Sequence, residues 1–173
     1  MAKTALPPNH PPLPMNHPGS TMPNIPPPPR PSDAETISWA VPKGWTEARS
    51  GGMRLATLKP PGQGKVDVSI VMLPGLAGGE LGNVNRWRGQ VGLPPVDEAG
   101  RLKLRKEVKS KAGAISLYDF TGEAAAKQRM VVGLLFVDGR SWFIKMVGDA
   151  DAAEGARAGF VTLLESLRFP NAK

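Results

Sequence analysis

The stretch Asn83-Val84-Asn85-Arg86-Trp87-Arg88-Gly89-Gln90 concentrates the side chains best suited to holding a ligand. At helical spacing Val84 and Trp87 take the core side. Asn85 and Arg88 share a second face at i, i+3, and Arg86 and Gln90 a third at i, i+4. Two guanidiniums with the amides of Asn83, Asn85 and Gln90 form a polar stripe for a carboxylate or phosphate, because guanidinium binds both bidentately. A structural role competes with this and is favoured: Arg88 would tie the helix to nearby carbonyls while the asparagines cap the preceding turn. Buried Arg and Asn usually satisfy backbone groups.

A second feature is charge placement. Residues 101–111 carry Arg101, Lys103, Arg105, Lys106, Lys109 and Lys111 against Glu107 alone, which is most of the chain's net charge of +7. Such a patch suits an acidic partner, a membrane surface or nucleic acid. No aromatic residue is interleaved with it, so base stacking is unsupported and nucleic acid is disfavoured. The competing and preferred role is a solvated edge strand, defended by lysine against sheet-to-sheet pairing.

Other chemistries fail on residue type or spacing. The 173 residues include no cysteine, which excludes a disulfide scaffold, a thiol nucleophile and a Cys-ligated metal. The only histidines, His10 and His17, lie near the start, so the body is closed to Ser–His–Asp and His-ligated zinc chemistry. On a flexible chain they lack a third ligand, and adventitious copper or nickel binding is all they predict. Gly62-Gln63-Gly64-Lys65 is too short for a phosphate-binding loop and precedes a strand. Gly75, Gly78, Gly79 and Gly82 do not form a dinucleotide fingerprint. Asp97-Glu98 reads as a solvated turn. No metal or cofactor is expected and an enzyme is disfavoured. A hydrolase or lyase would require Asp67, Asp119 or Glu123 to converge with Arg88 in one pocket.

The elements that must position these residues follow from periodicity. Strands are predicted over Ile37–Val41, Met53–Leu58, Val66–Leu73, Ala114–Thr121, Arg129–Val137 and Arg140–Val147. Val66, Val68, Ile70 and Met72 give the clearest alternation, and Asp138-Gly139 is a hairpin signal. Helices are predicted over Glu80–Val91, stopped by Gly92-Leu93-Pro94-Pro95, and over Asp151–Ser166. Val96–Gly100 reads as loop. The expected fold is α+β, an antiparallel sheet of about six strands flanked by two helices.

Residues 1–36 hold 12 of the 19 prolines. Proline fixes φ and removes a backbone donor, so this stretch reads as an extended spacer ahead of a domain spanning 37–173. Pro26–Pro29 beside Arg30 is similar to docking ligands for aromatic grooves, but a plain tether is the preferred role. The longest apolar run, Val131–Val137, is too short to cross a bilayer.

Several segments run in register with one family. They are Trp39-Ala40-Val41-Pro42-x-Gly44-Trp45, Met53–Thr57, Val68–Ile70, Leu73-Pro74-Gly75-x-x-Gly78-Gly79, Asn83–Pro95 and Trp142-Phe143-x-Lys145-x-x-Gly148. From Ile37 to Phe169 the chain resembles the PsbP-like superfamily, in its uncharacterised bacterial branch often described as lipoproteins. The Asn83–Arg88 motif is the specific part. The resemblance implies a six-stranded antiparallel sheet with flanking helices. It also implies a binding or assembly role, as in an extrinsic photosystem II subunit and a nuclear-import factor that binds Ran GTPase. It supplies no catalytic residues. Members of the branch usually carry an export signal and a lipidated cysteine, and this sequence shows neither. The expectation is a periplasmic or membrane-anchored extracytoplasmic accessory domain whose N-terminal anchor is missing. Its partner would be a protein or a small anion; a cytoplasmic location is the alternative.

Overall fold

In a computed structural model, which describes residues 36–124 and 127–170, the chain forms an α+β sandwich. Its strands are β1 (Thr46–Arg49), β2 (Arg54–Lys59), β3 (Val66–Pro74), β4 (Lys106–Ser110), β5 (Gly113–Thr121), β6 (Gln128–Val137) and β7 (Arg140–Asp149). Its helices are α1 (Glu80–Gln90), α2 (Glu98–Leu104) and α3 (Ala150–Glu165). The seven strands make one antiparallel sheet in the order β1-β2-β3-β7-β6-β5-β4. The proline-rich segment and both histidines lie outside the described residues.

Alternation assigns the two faces of the sheet. Val68 and Ile70 of β3, Trp142, Ile144 and Met146 of β7, and Ile115 and Leu117 of β5 pack with Phe160, Leu163 and Leu164 of α3. The opposite face carries Tyr118, Phe120, Met130, Val132, Leu134 and Phe143, which pack with Val84, Trp87 and Val91 of α1. Period two on a strand and 3.6 on a helix are what allow one stripe to meet the other. Asp138 and Gly139, at φ 52° and 70°, make the tight β6–β7 turn.

Four expectations need correction. Ile37–Val41 is not a strand: only Ser38 pairs, through a single bridge to Arg168, while Ile37 and Trp39 bury themselves in the α3 core. That stretch runs as a strap against the chain's end. The first strand is instead Thr46–Arg49, a short, mostly exposed edge whose polar residues give no alternation. The count rises from about six strands to seven, because Lys106–Ser110 is the edge strand favoured for the lysine-rich run and lies at the opposite edge. The supposed loop and its continuation form a third helix, α2, whose Asp97 side chain accepts a hydrogen bond from the Gly100 backbone N–H at 2.8 Å. An Asp cap with Gly three residues on is a local helix start that apolar periodicity does not reveal.

Candidate anion-binding groove

Helix α1 is held from both ends. At its start the Asn83 amide donates to the carbonyls of Ala77 (3.0 Å) and Gly79 (2.7 Å), fixing the glycine-rich turn. At its end the Gly92 N–H reaches the Gly89 carbonyl and the Leu93 N–H that of Arg88. Gly92 sits at φ 78°, where glycine is favoured, and together these form a Schellman closure. Asn85 exchanges two hydrogen bonds with Val96, donating to its carbonyl at 2.9 Å and accepting from its N–H at 2.8 Å. Arg88 Nε donates to the Pro94 carbonyl at 2.7 Å, and its guanidinium lies 5.8 Å from the Phe120 ring centre. Asn83, Asn85 and Arg88 are thus occupied in holding the helix and its flanking loops.

A buried polar cluster fastens α1 and α2 to β5. The Tyr118 hydroxyl donates to Glu80 Oε1 at 2.6 Å and accepts from Arg101 Nη1 at 3.1 Å. Arg101 also pairs with Glu98, and with Glu80 at 3.1 Å. Burial, and then the Glu80 carboxylate, push the Tyr118 hydroxyl up to about 12. Arg101 is 7% exposed and does not belong to the basic surface patch, because α2 turns it inward onto Tyr118. Lys103, Arg105, Lys106, Lys109 and Lys111 are exposed along the end of α2 and the β4 edge. Arg105 comes within 3.9 Å of Glu80.

Arg86 and Gln90 do something different. They rim a groove of about 540 Å³ between α1 and the uncovered part of the sheet. Its floor comes from Asp67, Ser69, Val71 and Leu73 of β3 and from Phe143, Lys145 and Val147 of β7, with Trp87 as one wall. Arg54 reaches the groove through a β-bulge. Arg54 pairs with Val71 while Ala56 pairs with Ile70, so two steps along β2 match one along β3. The extra residue turns Arg54 away from the face that buries Ala56 and Leu58 and onto the groove side, where its Nε donates to Thr57 Oγ1 at 3.0 Å.

Three cations therefore surround this space, and none has a carboxylate partner among the described residues. Arg54 bonds to a hydroxyl, Arg86 to the Asn83 amide oxygen at 3.3 Å, and Lys145 is half-buried opposite Ser69. Burial, and then the Arg54 charge, hold the Lys145 amine below the ordinary lysine value. Asp67 is exposed and forms no ion pair with any of the three. An electropositive cleft whose floor is only partly apolar still attracts an anion and strengthens its contacts by partial desolvation.

Sequence reasoning missed Arg54 and Lys145 as site residues. Lys145 carried a signal, a lone charge inside the apolar run Ser141–Val147, since lysine is seldom buried without cause. Arg54 carried none, because strict alternation places it on the opposite face. The carboxylates considered for bond-breaking chemistry stay apart. Asp67 lines the groove, Glu123 is exposed beyond β5, and Asp119 is tied to Arg129 and Arg157 under α3.

No protein-family model matches the chain, and no curated protein does. Among solved structures, the chain is similar to LpqN of Mycobacterium tuberculosis, described as involved in cell envelope biogenesis. The identity there is 11% and the TM-score 0.47, over 77% of this chain and 82% of that one. It is similar to cyanobacterial PsbP from Synechocystis at 10% identity and TM-score 0.46, over 81% and 89% of the two chains. A protein from Bacteroides thetaiotaomicron matches at 11% identity and TM-score 0.44 over 78% of this chain, which spans only 45% of that protein's length.

Proposed function

We propose that this is a non-enzymatic accessory domain that binds a small anion, or an acidic group of a protein partner, in the groove beneath α1. The observation that carries this reading is the set Arg54, Arg86 and Lys145, three cations on one groove without a carboxylate partner among the described residues. Gln90 lines the same groove and supplies an amide. An uncompensated, half-buried ammonium is costly to a fold, and an anionic ligand offsets that cost.

Residues 1–36 serve in this reading as a spacer that holds the domain away from an anchoring surface on the extracytoplasmic side of a bacterial membrane. Their proline content supports an extended tether, and the sequence likeness to the bacterial lipoprotein branch of PsbP-like proteins supports the location. Among the described residues no helix is long and apolar enough to cross a membrane. A cytoplasmic site is the alternative, and fractionation of cells making the full chain separates the two.

Calorimetric titration with citrate tests the groove. Binding should be saturable and should weaken at least about tenfold in Lys145→Met or in Arg54→Ala combined with Arg86→Ala, a loss typical of one removed charged contact. Unchanged affinity in both variants would overturn the reading.

A second surface is favoured by one observation: Lys103, Arg105, Lys106, Lys109 and Lys111 are all exposed along one edge. Retention on vesicles containing phosphatidylglycerol that is lost on raising salt, and lost when these five are changed to Gln, would support an acidic-surface binder. Retention that survives the five substitutions would leave β4 with only the role of a guarded sheet edge.

A further inference from the structure

Resting on the groove as an anion site, we infer that its occupant is an organic acid with an extended apolar body, of the fatty-acid kind, and not a bare inorganic anion. The argument is the order of side chains along the floor. Period two brings Asp67, Ser69, Val71 and Leu73 of β3 to one face, and the register sets Ser69 against Lys145 and Val71 against Phe143. Asp67, Ser69 and the Lys145 ammonium therefore lie toward one end, with Val147 beside Asp67. Val71, Leu73 and Phe143, with Trp87 above, form a continuous apolar stretch beyond them, running toward the rim held by Arg86.

Val71 and Leu73 are only partly buried, so apolar surface stays wet beside the cations. A free phosphate would satisfy Lys145 and Arg54 but leave that surface in water. A hydrocarbon alone would cover the surface and bury the ammonium further without a counter-charge. A carboxylate joined to a chain or ring answers both. From Ser69 to Leu73 the floor runs about 13 Å at the usual strand rise, and the cavity of about 540 Å³ lies well inside the range of small-molecule sites. The β2 bulge supports the same assignment, because it adds the Arg54 guanidinium at the rim across from Val71, where the charged and apolar portions meet.

The test titrates the full chain by calorimetry with acetate, decanoate below its micelle concentration, and decan-1-ol. Each methylene buried on the floor strengthens binding about fourfold, so decanoate should bind at least about a hundredfold tighter than acetate. Lys145→Met should weaken decanoate about tenfold or more while leaving decan-1-ol unchanged. Leu73→Ser, which keeps every charge, should weaken decanoate several-fold and leave acetate unchanged. Equal affinity for decanoate and acetate would overturn the inference and leave the anion reading standing. Decan-1-ol binding as tightly as decanoate would overturn both. Vesicle binding without any binding of monomeric decanoate would overturn the inference in favour of a membrane surface.

Discussion

On the α3 side of the sheet, Asp119 accepts hydrogen bonds from Arg129 at 2.8 Å and from Arg157 at 3.0 Å, and Arg129 also reaches Glu154. On the α1 side, Lys145, Arg54 and Arg86 face a groove with no such partner. The segment ahead of β1 accounts for much of this difference. Ile37, Trp39 and Trp45 extend the cover on the α3 side, joining Ala56 and Leu58 of β2 and Val68 and Ile70 of β3 in one core. On the α1 side Val71 and Leu73 of β3 pack only partly against the cluster beneath the helix. Charges are closed into pairs under α3, and on the α1 side around Arg101, while those of the groove stay available.

The largest expected effect lies on the sealed face. Phe160 is fully buried between α3 and the sheet. Phe160→Ala should cost about 3–5 kcal/mol through lost burial and the cavity left behind. Leu73→Ala, on the partly wet groove floor, should cost about 1 kcal/mol, because much of its surface already meets water. Urea denaturation compares the two, and similar losses would mean the faces are equally packed.

The ion pairs come next. Burial alone would raise the Asp119 carboxyl, but the hydrogen bonds from Arg129 and Arg157 outweigh it and hold the group below the usual carboxylate range. A folded pKa depressed below the unfolded value contributes stability that is complete above about pH 4 and is lost as pH falls through the folded value. Asp119→Asn should therefore cost about 2 kcal/mol near neutral pH, where it leaves two arginines poorly paired. The gap between wild type and variant should close in strong acid. A gap that stays constant down to pH 2 would deny Asp119 this linkage.

Within α1 itself the same contrast separates neighbours. Asn85 holds both polar backbone groups of Val96, so Asn85→Ala should cost about 2 kcal/mol. Arg86 is exposed and its one bond, to Asn83, is long, so Arg86→Ala should move stability by less than about 0.5 kcal/mol. Thermal melts of the two variants decide whether the helix divides into anchoring and ligand-facing residues as the hydrogen bonds indicate.

That division also shows what the sequence could reveal. Helical spacing separated Asn85 and Arg88 from Arg86 and Gln90 correctly, since i, i+3 and i, i+4 neighbours follow from geometry alone. Which of those faces meets a loop and which meets open space depends on where Pro94 and Val96 return, and that is set by tertiary packing. The central strands were legible because two-residue alternation survives wherever one face is buried. Thr46–Arg49 was not recognised as a strand because edge positions tolerate polar residues on both faces, whereas the lysines of 101–111 did point to the edge strand found at Lys106–Ser110. The run 101–111 looked like one charged surface, whereas α2 folds Arg101 inward and leaves the others in solvent. The bulge at Arg54 is a register event between two strands, and no property of β2 by itself announces it.

Substituting the residue most central to the groove should cost the fold no stability. Lys145 has a folded pKa lowered by burial and by the Arg54 charge, so its protonated form is penalised in the native state relative to the unfolded chain. Between that lowered value and about 10.4 the unfolded chain binds more protons, and stability should rise with pH across this window. Lys145→Met removes the penalty, so at neutral pH it should be neutral or stabilising by up to about 1 kcal/mol. The advantage should vanish above about pH 10.4, where the wild-type amine is neutral in both states. An anion filling the groove should raise the Lys145 pKa by restoring its counter-charge, so saturating citrate should flatten the wild-type pH profile towards that of the variant. A wild-type profile indifferent to citrate would mean that the ammonium and the anion do not meet.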